Sequence, residues 1–371
     1  MLKVMTVVGT RPEIIRLSRV MTLLDKYVQH IIVHTGQNYD YELNEIFFED
    51  LELRKPDYFL NVDTSSLGRV LGETLIKIEE LIDAEKPDAM LILGDTNASI
   101  AAIMAKRKHI PIYHMEAGNR SFDANVPEEI NRKMIDHIAD FNLVYTEHSR
   151  RHLLSEGLPH RRVYLTGSPM FEVLNHYLPK IKKSQILQTL SLNKKGYFLI
   201  SVHREENVDF QDNLIQIMGV LNFLAEHYNL PVIVSTHPRT RKRIELLDNI
   251  ELNPLIQFLK PFGFSDYNLL QMNAKCVISD SGTISEESSM LKFPAITIRN
   301  SMERPEAVDA GTIILSGFRQ DIVLQAIELA VDEDAQYAAI CPEYQVANTA
   351  HRTLKLILGT AKLHKQWSGL Y

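Results

Sequence analysis

Residues 3–16 read K-V-M-T-V-V-G-T-R-P-E-I-I-R. The apolar run from Val4 to Val8 stops at a single glycine, and Pro12 opens a stretch with helical character. Strand, tight turn and helix together form the arrangement in which N–H groups at a helix start hold a phosphate. Neither G-x-G-x-x-G nor G-x-x-x-x-G-K-[ST] is present. Gly9 permits the turn, and Pro12 suits a first helical position, where a missing N–H costs nothing. The N–H groups of residues 13–15 would then face an anion. Arg11 and Arg16 would supply as guanidinium clamps what other loops obtain from extra glycines.

Working outward, the same alternation continues. Short apolar runs at 3–8, 30–35, 90–94, 110–115, 143–146 and 163–166 are separated by helical patterns, among them 67–81 and 128–139. A polar stretch from about residue 178 reads as a linker or an edge helix. A second series of runs follows at 197–202, 232–235, 256–259, 276–279, 295–299 and 312–315, with helical patterns at 214–227 and 322–331. Strands alternating with helices imply parallel sheets. The predicted fold class is therefore α/β, with two Rossmann-like doubly wound domains facing a cleft. The expected boundaries are 1–175 and 176–352, and the C-terminal helix, about 353–371, rejoins the first domain.

At 371 residues the chain can build two such cores. A net charge of −7 argues against a general nucleic-acid or anionic-membrane binder. Cys276 and Cys341 are too few for a disulfide framework, and Cys276 reads as a small buried hydrophobe. Met1–Val8 is too short for a signal peptide, and no run has the length of a membrane span. A reduced, cytoplasmic enzyme is expected. The histidines are dispersed, so no metal is expected, and no G-x-S-x-G elbow marks a Ser-His-Asp set. No cofactor is expected.

Open α/β sheets bind ligands at the carboxyl ends of their strands. In the first half those ends carry Asp95, Glu116 and, at a helix start, Glu128. Three carboxylates around one cleft suit proton abstraction and return. His114 is read as packing or hydrogen-bonding, and Glu129 as a dipole complement in a first turn. In the second half His203 and His237 end successive strands. Asp280 is followed by Ser281, Gly282 and Thr283, a candidate diphosphate cradle, and then by Glu286 and Glu287. Arg304, Pro305 and Glu306 repeat the Arg-Pro-Glu theme of the first loop.

The stretches GTRPEIIR, LGDTNAS, HMEAGNRSFDANVPEEINR, VHREEN, SDSGTISEE and ERPEAV, in this order and spacing, resemble the non-hydrolysing UDP-N-acetylglucosamine 2-epimerase family. The resemblance spans nearly the whole chain. Within the family, TGQNYDYELNEIFF, HMEAGNRSFDANVPEEINR and LKPFGFSDYNLLQ look closest to the branch that forms UDP-N-acetyl-L-fucosamine from UDP-2-acetamido-2,6-dideoxy-L-talose for capsule and O-antigen. The resemblance implies the GT-B fold, a UDP-activated amino sugar as ligand, and a homodimer. It implies that UDP is eliminated as C2 loses its proton, and that UDP then adds back to the glycal. Acid–base roles carry over to Asp95, Glu116, Glu128 and His203. UDP-binding roles carry over to Arg11, Arg16, Tyr267, Ser281, Gly282, Thr283, Glu287 and Arg304.

Three positions depart from the UDP-N-acetylglucosamine enzymes. Arg16 stands where lysine is usual, Glu205 where the family reads His-Arg-Arg-Glu, and Thr283 in place of a glycine. These departures favour the deoxysugar branch. The alternatives are the same chemistry on UDP-N-acetylglucosamine, a GT-B glycosyltransferase, and a UDP-sugar sensor without turnover.

Overall fold

The computed structural model describes residues 1–36, 48–123, 126–236, 238–247, 251–299, 304–332 and 340–369. His237 lies outside them. The chain divides into two compact units, Met1–His176 with Pro342–Tyr371, and Tyr177–Cys341.

In the first unit the strands are β1 (Lys3–Val8), β2 (Gln29–His34), β3 (Tyr58–Phe59), β4 (Ala89–Leu93), β5 (Ile112–Ala117), β6 (Phe141–Val144) and β7 (Val163–Leu165). They form one parallel sheet in the order β3-β2-β1-β4-β5-β6-β7. Val4, Met5, Val7 and Val8 of β1 are all buried, as expected of a strand covered on both faces. The strand β3 was not expected. Two residues are too few to show any alternation, and they pair only because Val33 and His34 of β2 lie opposite Tyr58 and Phe59.

The helix Leu67–Glu85 is capped by the Ser66 hydroxyl, which accepts from Arg69 N at 3.3 Å. Val70, Thr74, Ile78, Leu81 and Ile82 are its buried residues, at helical spacing. The return to this unit comes at Pro342, ahead of the expected 353. The Glu343 carbonyl accepts from Ser168 N at 3.1 Å, and Ala350 N donates to Glu172 Oε2 at 2.9 Å. Gly167 (φ +83°) makes room for this segment, since a Cβ there would meet the Val346 side chain at 2.4 Å.

The second unit contains β8 (Phe198–Ser201), β9 (Val232–Ser235), β10 (Ile256–Leu259), β11 (Cys276–Ser279), β12 (Ala295–Thr297) and β13 (Ile314–Leu315). Its parallel sheet runs β10-β9-β8-β11-β12-β13. Helices Gln211–Tyr228 and Gln320–Val331 contribute Leu214, Ile217, Leu221, Val323 and Ile327 to its core. The polar stretch after residue 178 is helical at its start, as the end of Met170–Ile181, and again at Ile186–Thr189. No helix among the described residues is long and apolar enough to cross a membrane.

Both sheets share one logic. The strand order reverses beside the first strand, between β1 and β4 in one unit and between β8 and β11 in the other. The turns after these four strands therefore flank the two switch points, where open α/β sheets bind ligands.

Near the end of β2, His34 is fully buried, and its Nδ1 accepts from Gly36 N at 2.9 Å. Burial pushes its imidazole down to about 4. A neutral histidine in the fold must charge in acid, so stability should be intact above the unfolded value near 6.5 and fall as pH drops toward 4. The expected loss is about 3 kcal/mol at pH 4, read as a lower urea midpoint. His34→Asn keeps an acceptor for Gly36 and should lose much less over the same interval.

Candidate active site

Arg11 is the first residue of the helix Arg11–Tyr27, with Pro12 in its first turn. The N–H groups of this turn are engaged differently from the sequence expectation. Glu13 folds back, and its Oε2 accepts from Gly9 N at 2.8 Å, Thr10 N at 2.6 Å and the Thr10 hydroxyl at 2.9 Å. Ile14 N bonds to the Thr10 carbonyl at 3.2 Å. The turn thus carries a carboxyl acceptor of its own. Burial pushes the Glu13 carboxyl up to about 7, against the hydrogen bonds from Gly9, Thr96 and Thr10 that hold it down.

Arg16 is buried, forms an ion pair with Glu116, and lies 5.8 Å from the centre of the Tyr145 ring. Glu116 is near the end of β5, at an irregularity between Met115 and Ala117. Its φ is +65°, a left-handed conformation that is costly for a glutamate and common at functional sites. Asn119 Nδ2 donates to Glu116 Oε1 at 3.2 Å.

Beneath this turn lies a buried ionic cluster. Asp136 Oδ2 accepts from Arg120 Nη1 at 2.7 Å, and both Asp136 oxygens lie 3.2 Å from Gly118 N. Glu156 receives Arg120 Nε at 2.7 Å and Nη2 at 2.6 Å. His114 is a structural partner here, its Nε2 2.8 Å from the Gly94 carbonyl and its Nδ1 3.0 Å from Asp136 Oδ1. Gly118 (φ +81°) admits the neighbouring helix, because a Cβ would meet the Ser149 carbonyl oxygen at 2.4 Å.

Asp95 sits in the turn after β4. Its carboxylate pairs with Arg132, and its carbonyl accepts from Asn131 Nδ2 at 2.9 Å. Leu93 of β4 lies opposite Met115 of β5, so Asp95 and Glu116 occupy neighbouring strand ends. Glu128 begins the helix Glu128–Ile138 that carries Asn131 and Arg132. Glu129 does more than complement the helix dipole. It is buried, and its Oε2 accepts from Ser121 N and from the Ser121 hydroxyl at 3.0 Å each. Despite its burial, these bonds and Arg132 hold its carboxyl below the usual range.

In the second unit His203 follows β8, and its ring Nδ1 lies 3.2 Å from Asp280 Oδ1. Asp280 is fully buried. It accepts from His203 N at 3.0 Å, Arg204 N at 2.9 Å and Asn207 Nδ2 at 3.0 Å. In the turn after β11 the Ser281 hydroxyl lies 2.9 Å from the Thr283 hydroxyl and accepts from Thr283 N at 3.3 Å. Gly282 lies between them, and Thr283 occupies the N-cap position of the helix Ile284–Leu291 without a side-chain capping bond. Glu287 accepts from Gln271 Nε2 at 2.6 Å. Tyr267, on the helix Phe264–Asn273, has its phenol pushed up by burial and by the Glu287 and Asp280 carboxylates, against a hydrogen bond with Ser201. Arg304 is buried with Nη1 3.4 Å from Glu286 Oε1.

The sequence profile of the UDP-N-acetylglucosamine 2-epimerase family matches residues 23–358. The chain belongs to this family. A UDP-N-acetylglucosamine 2-epimerase structure from Rickettsia bellii superposes with a TM-score of 0.92 at 49% identity, covering 99% of this chain and 98% of that one. The Methanocaldococcus jannaschii UDP-GlcNAc 2-epimerase, in complex with UDP-GlcNAc and UDP, gives a TM-score of 0.89 at 34% identity, covering 96% and 100%. The UDP-2,3-diacetamido-2,3-dideoxy-D-glucuronate 2-epimerase of Pseudomonas aeruginosa is 33% identical over 340 residues, covering 90% of this chain and 94% of its own. Members of this epimerase family are isomerases acting on UDP-sugars, and the fold is the α/β GT-B type of these structures.

As an epimerase-family chain, it has polar residues that sequence reading underrated. Arg132 reads as one charge in an acidic first turn, yet it is the ionic partner of Asp95. Asp280 reads as a strand-end carboxylate, yet it is a buried anchor for the His203 loop. Glu13 had no assigned role at all. Its spacing from Thr10, a Thr-x-x-Glu capping box, was the available signal.

Proposed function

We propose that this chain epimerises UDP-2-acetamido-2,6-dideoxy-L-talose at C2, giving UDP-N-acetyl-L-fucosamine for capsule or O-antigen synthesis. The observation that carries this reading is Arg16. A guanidinium stands where the UDP-N-acetylglucosamine enzymes usually have lysine, and it is buried against Glu116. A planar fork presents phosphate and carboxylate contacts with a geometry that a lysine point charge does not reproduce. Glu205 and Thr283 point the same way. The P. aeruginosa relative supports a family whose substrates extend beyond UDP-N-acetylglucosamine.

In this reading a base takes the C2 proton while the C1–O bond breaks and its electron pair leaves with UDP. The resulting 2-acetamidoglycal accepts UDP again at C1, and a proton returns to C2 from the opposite face. Asp95, Glu116, Glu128 and His203 are the proposed acid–base groups. Arg11, Arg16, Tyr267, Ser281, Gly282, Thr283, Glu287 and Arg304 are proposed to hold UDP. Cations and oriented N–H groups at the diphosphate stabilise the charge that develops as it departs. The enzyme is proposed to act in the cytoplasm as a homodimer.

Proton NMR in D2O tests this directly, with the deoxytalose substrate and UDP-N-acetylglucosamine in separate tubes. Deuterium at C2 of the deoxysugar together with a new epimer signal is the expected result. Exchange confined to UDP-N-acetylglucosamine would assign the parent reaction instead. No exchange in either tube, with folded protein, would bring the glycosyltransferase forward.

A further inference from the structure

Each switch point is tied across by one buried carboxylate. In the second unit Asp280, after β11, accepts the N–H groups of His203 and Arg204 in the turn after β8. In the first unit Glu13 does the same in the other direction. Its Oε2 takes Gly9 N and Thr10 N in the turn after β1, and its Oε1 accepts from the Thr96 hydroxyl at 2.9 Å in the turn after β4. Only 2% of Glu13 is exposed.

Thr96 adjoins Asp95, and its hydroxyl also accepts from Ala98 N at 3.2 Å. Asp95 is consequently steadied from several directions: by Arg132 at its carboxylate, by Asn131 at its carbonyl, and by the Glu13–Thr96 link at the next residue. A carboxyl whose two oxygens accept from different turns, Oε2 from the β1 turn and Oε1 from the β4 turn, lets neither move alone. A helix cap would require only the Thr10 half of these contacts. The Thr96 half reaches across 83 residues of sequence and does nothing for the cap.

We infer that Glu13 is a positioning residue for the epimerase reaction, setting the Asp95 turn relative to the Arg11 turn through Thr96. The inference rests on the proposed acid–base role of Asp95. Misplacing a reacting group by a fraction of its contact distance costs rate without weakening binding elsewhere in the substrate.

The test compares Thr96→Val, Thr96→Ser, Glu13→Gln, Asp95→Asn and wild type by C2 deuterium exchange, with UDP affinity measured by calorimetry and Tm alongside. Thr96→Val cuts the inter-turn bond and leaves the Glu13 contacts to Gly9 and Thr10. Its kcat should fall about tenfold or more, with KM and UDP affinity within about twofold of wild type. Thr96→Ser keeps the hydroxyl and should recover most of the rate. Glu13→Gln retains an oxygen for Gly9 and Thr10 and a polar atom for Thr96, and should stay closer to wild type than Thr96→Val. An undiminished kcat in Thr96→Val would overturn the inference, as would a Thr96→Ser enzyme equally impaired. Full exchange by Asp95→Asn would instead remove the acid–base reading of Asp95 on which it rests, so the two failures are told apart.

Discussion

Glu116→Gln is expected to slow C2 hydrogen exchange by about 10²–10⁴-fold while UDP still binds. The amide keeps the size of the side chain and an oxygen for Asn119 Nδ2, which donates to Glu116 at 3.2 Å, but it cannot carry a proton between faces of the sugar. The backbone argues for the same residue. A glutamate at φ +65° holds a left-handed conformation that costs energy, and such conformations cluster at functional sites. Single-turnover exchange in D2O and calorimetry with UDP measure the two halves of the expectation. A variant exchanging at the wild-type rate would move the proton transfer to Asp95, Glu128 or His203.

The second large effect concerns stability. Arg120→Met is expected to destabilise the first unit by about 3–5 kcal/mol, seen as a lower urea midpoint. It removes four hydrogen bonds, to Asp136, to the Asn119 carbonyl and to both Glu156 oxygens, and it leaves the fully buried Asp136 without its guanidinium. The Arg120 guanidinium offsets the desolvation of Asp136 together with Gly118 N and His114, and the substitution removes the one full positive charge among these three. A loss under about 1 kcal/mol would show that water reaches Asp136 and relieves it. The same substitution should lower activity, because Asp136 anchors the Gly118 end of the turn that presents Glu116.

Much of the fold was legible because its signals are local. Strands 232–235, 256–259 and 276–279 were expected at the positions where they occur, since short apolar runs bounded by polar turns encode a buried parallel strand. Boundaries drifted where the run and the ladder disagree. The expected strand 110–115 is observed as Ile112–Ala117, because pairing with β4 and β6 carries it two residues further, to the irregularity at Glu116.

By itself the sequence determined two successive α/β series, the carboxylates at strand ends, and the family to which they belong. Each of these follows from residues close together in the chain, whose periodicity and turn chemistry act over a few positions. Only the tertiary structure decided the partners: Arg16 with Glu116, Arg132 with Asp95, Arg304 with Glu286, and Glu13 with Thr96. A charged side chain shows the same letter whether it is solvated or buried. Desolvation compels a buried charge to find a counter-charge or donors, and which one lies within reach depends on how strands far apart in sequence come to lie side by side.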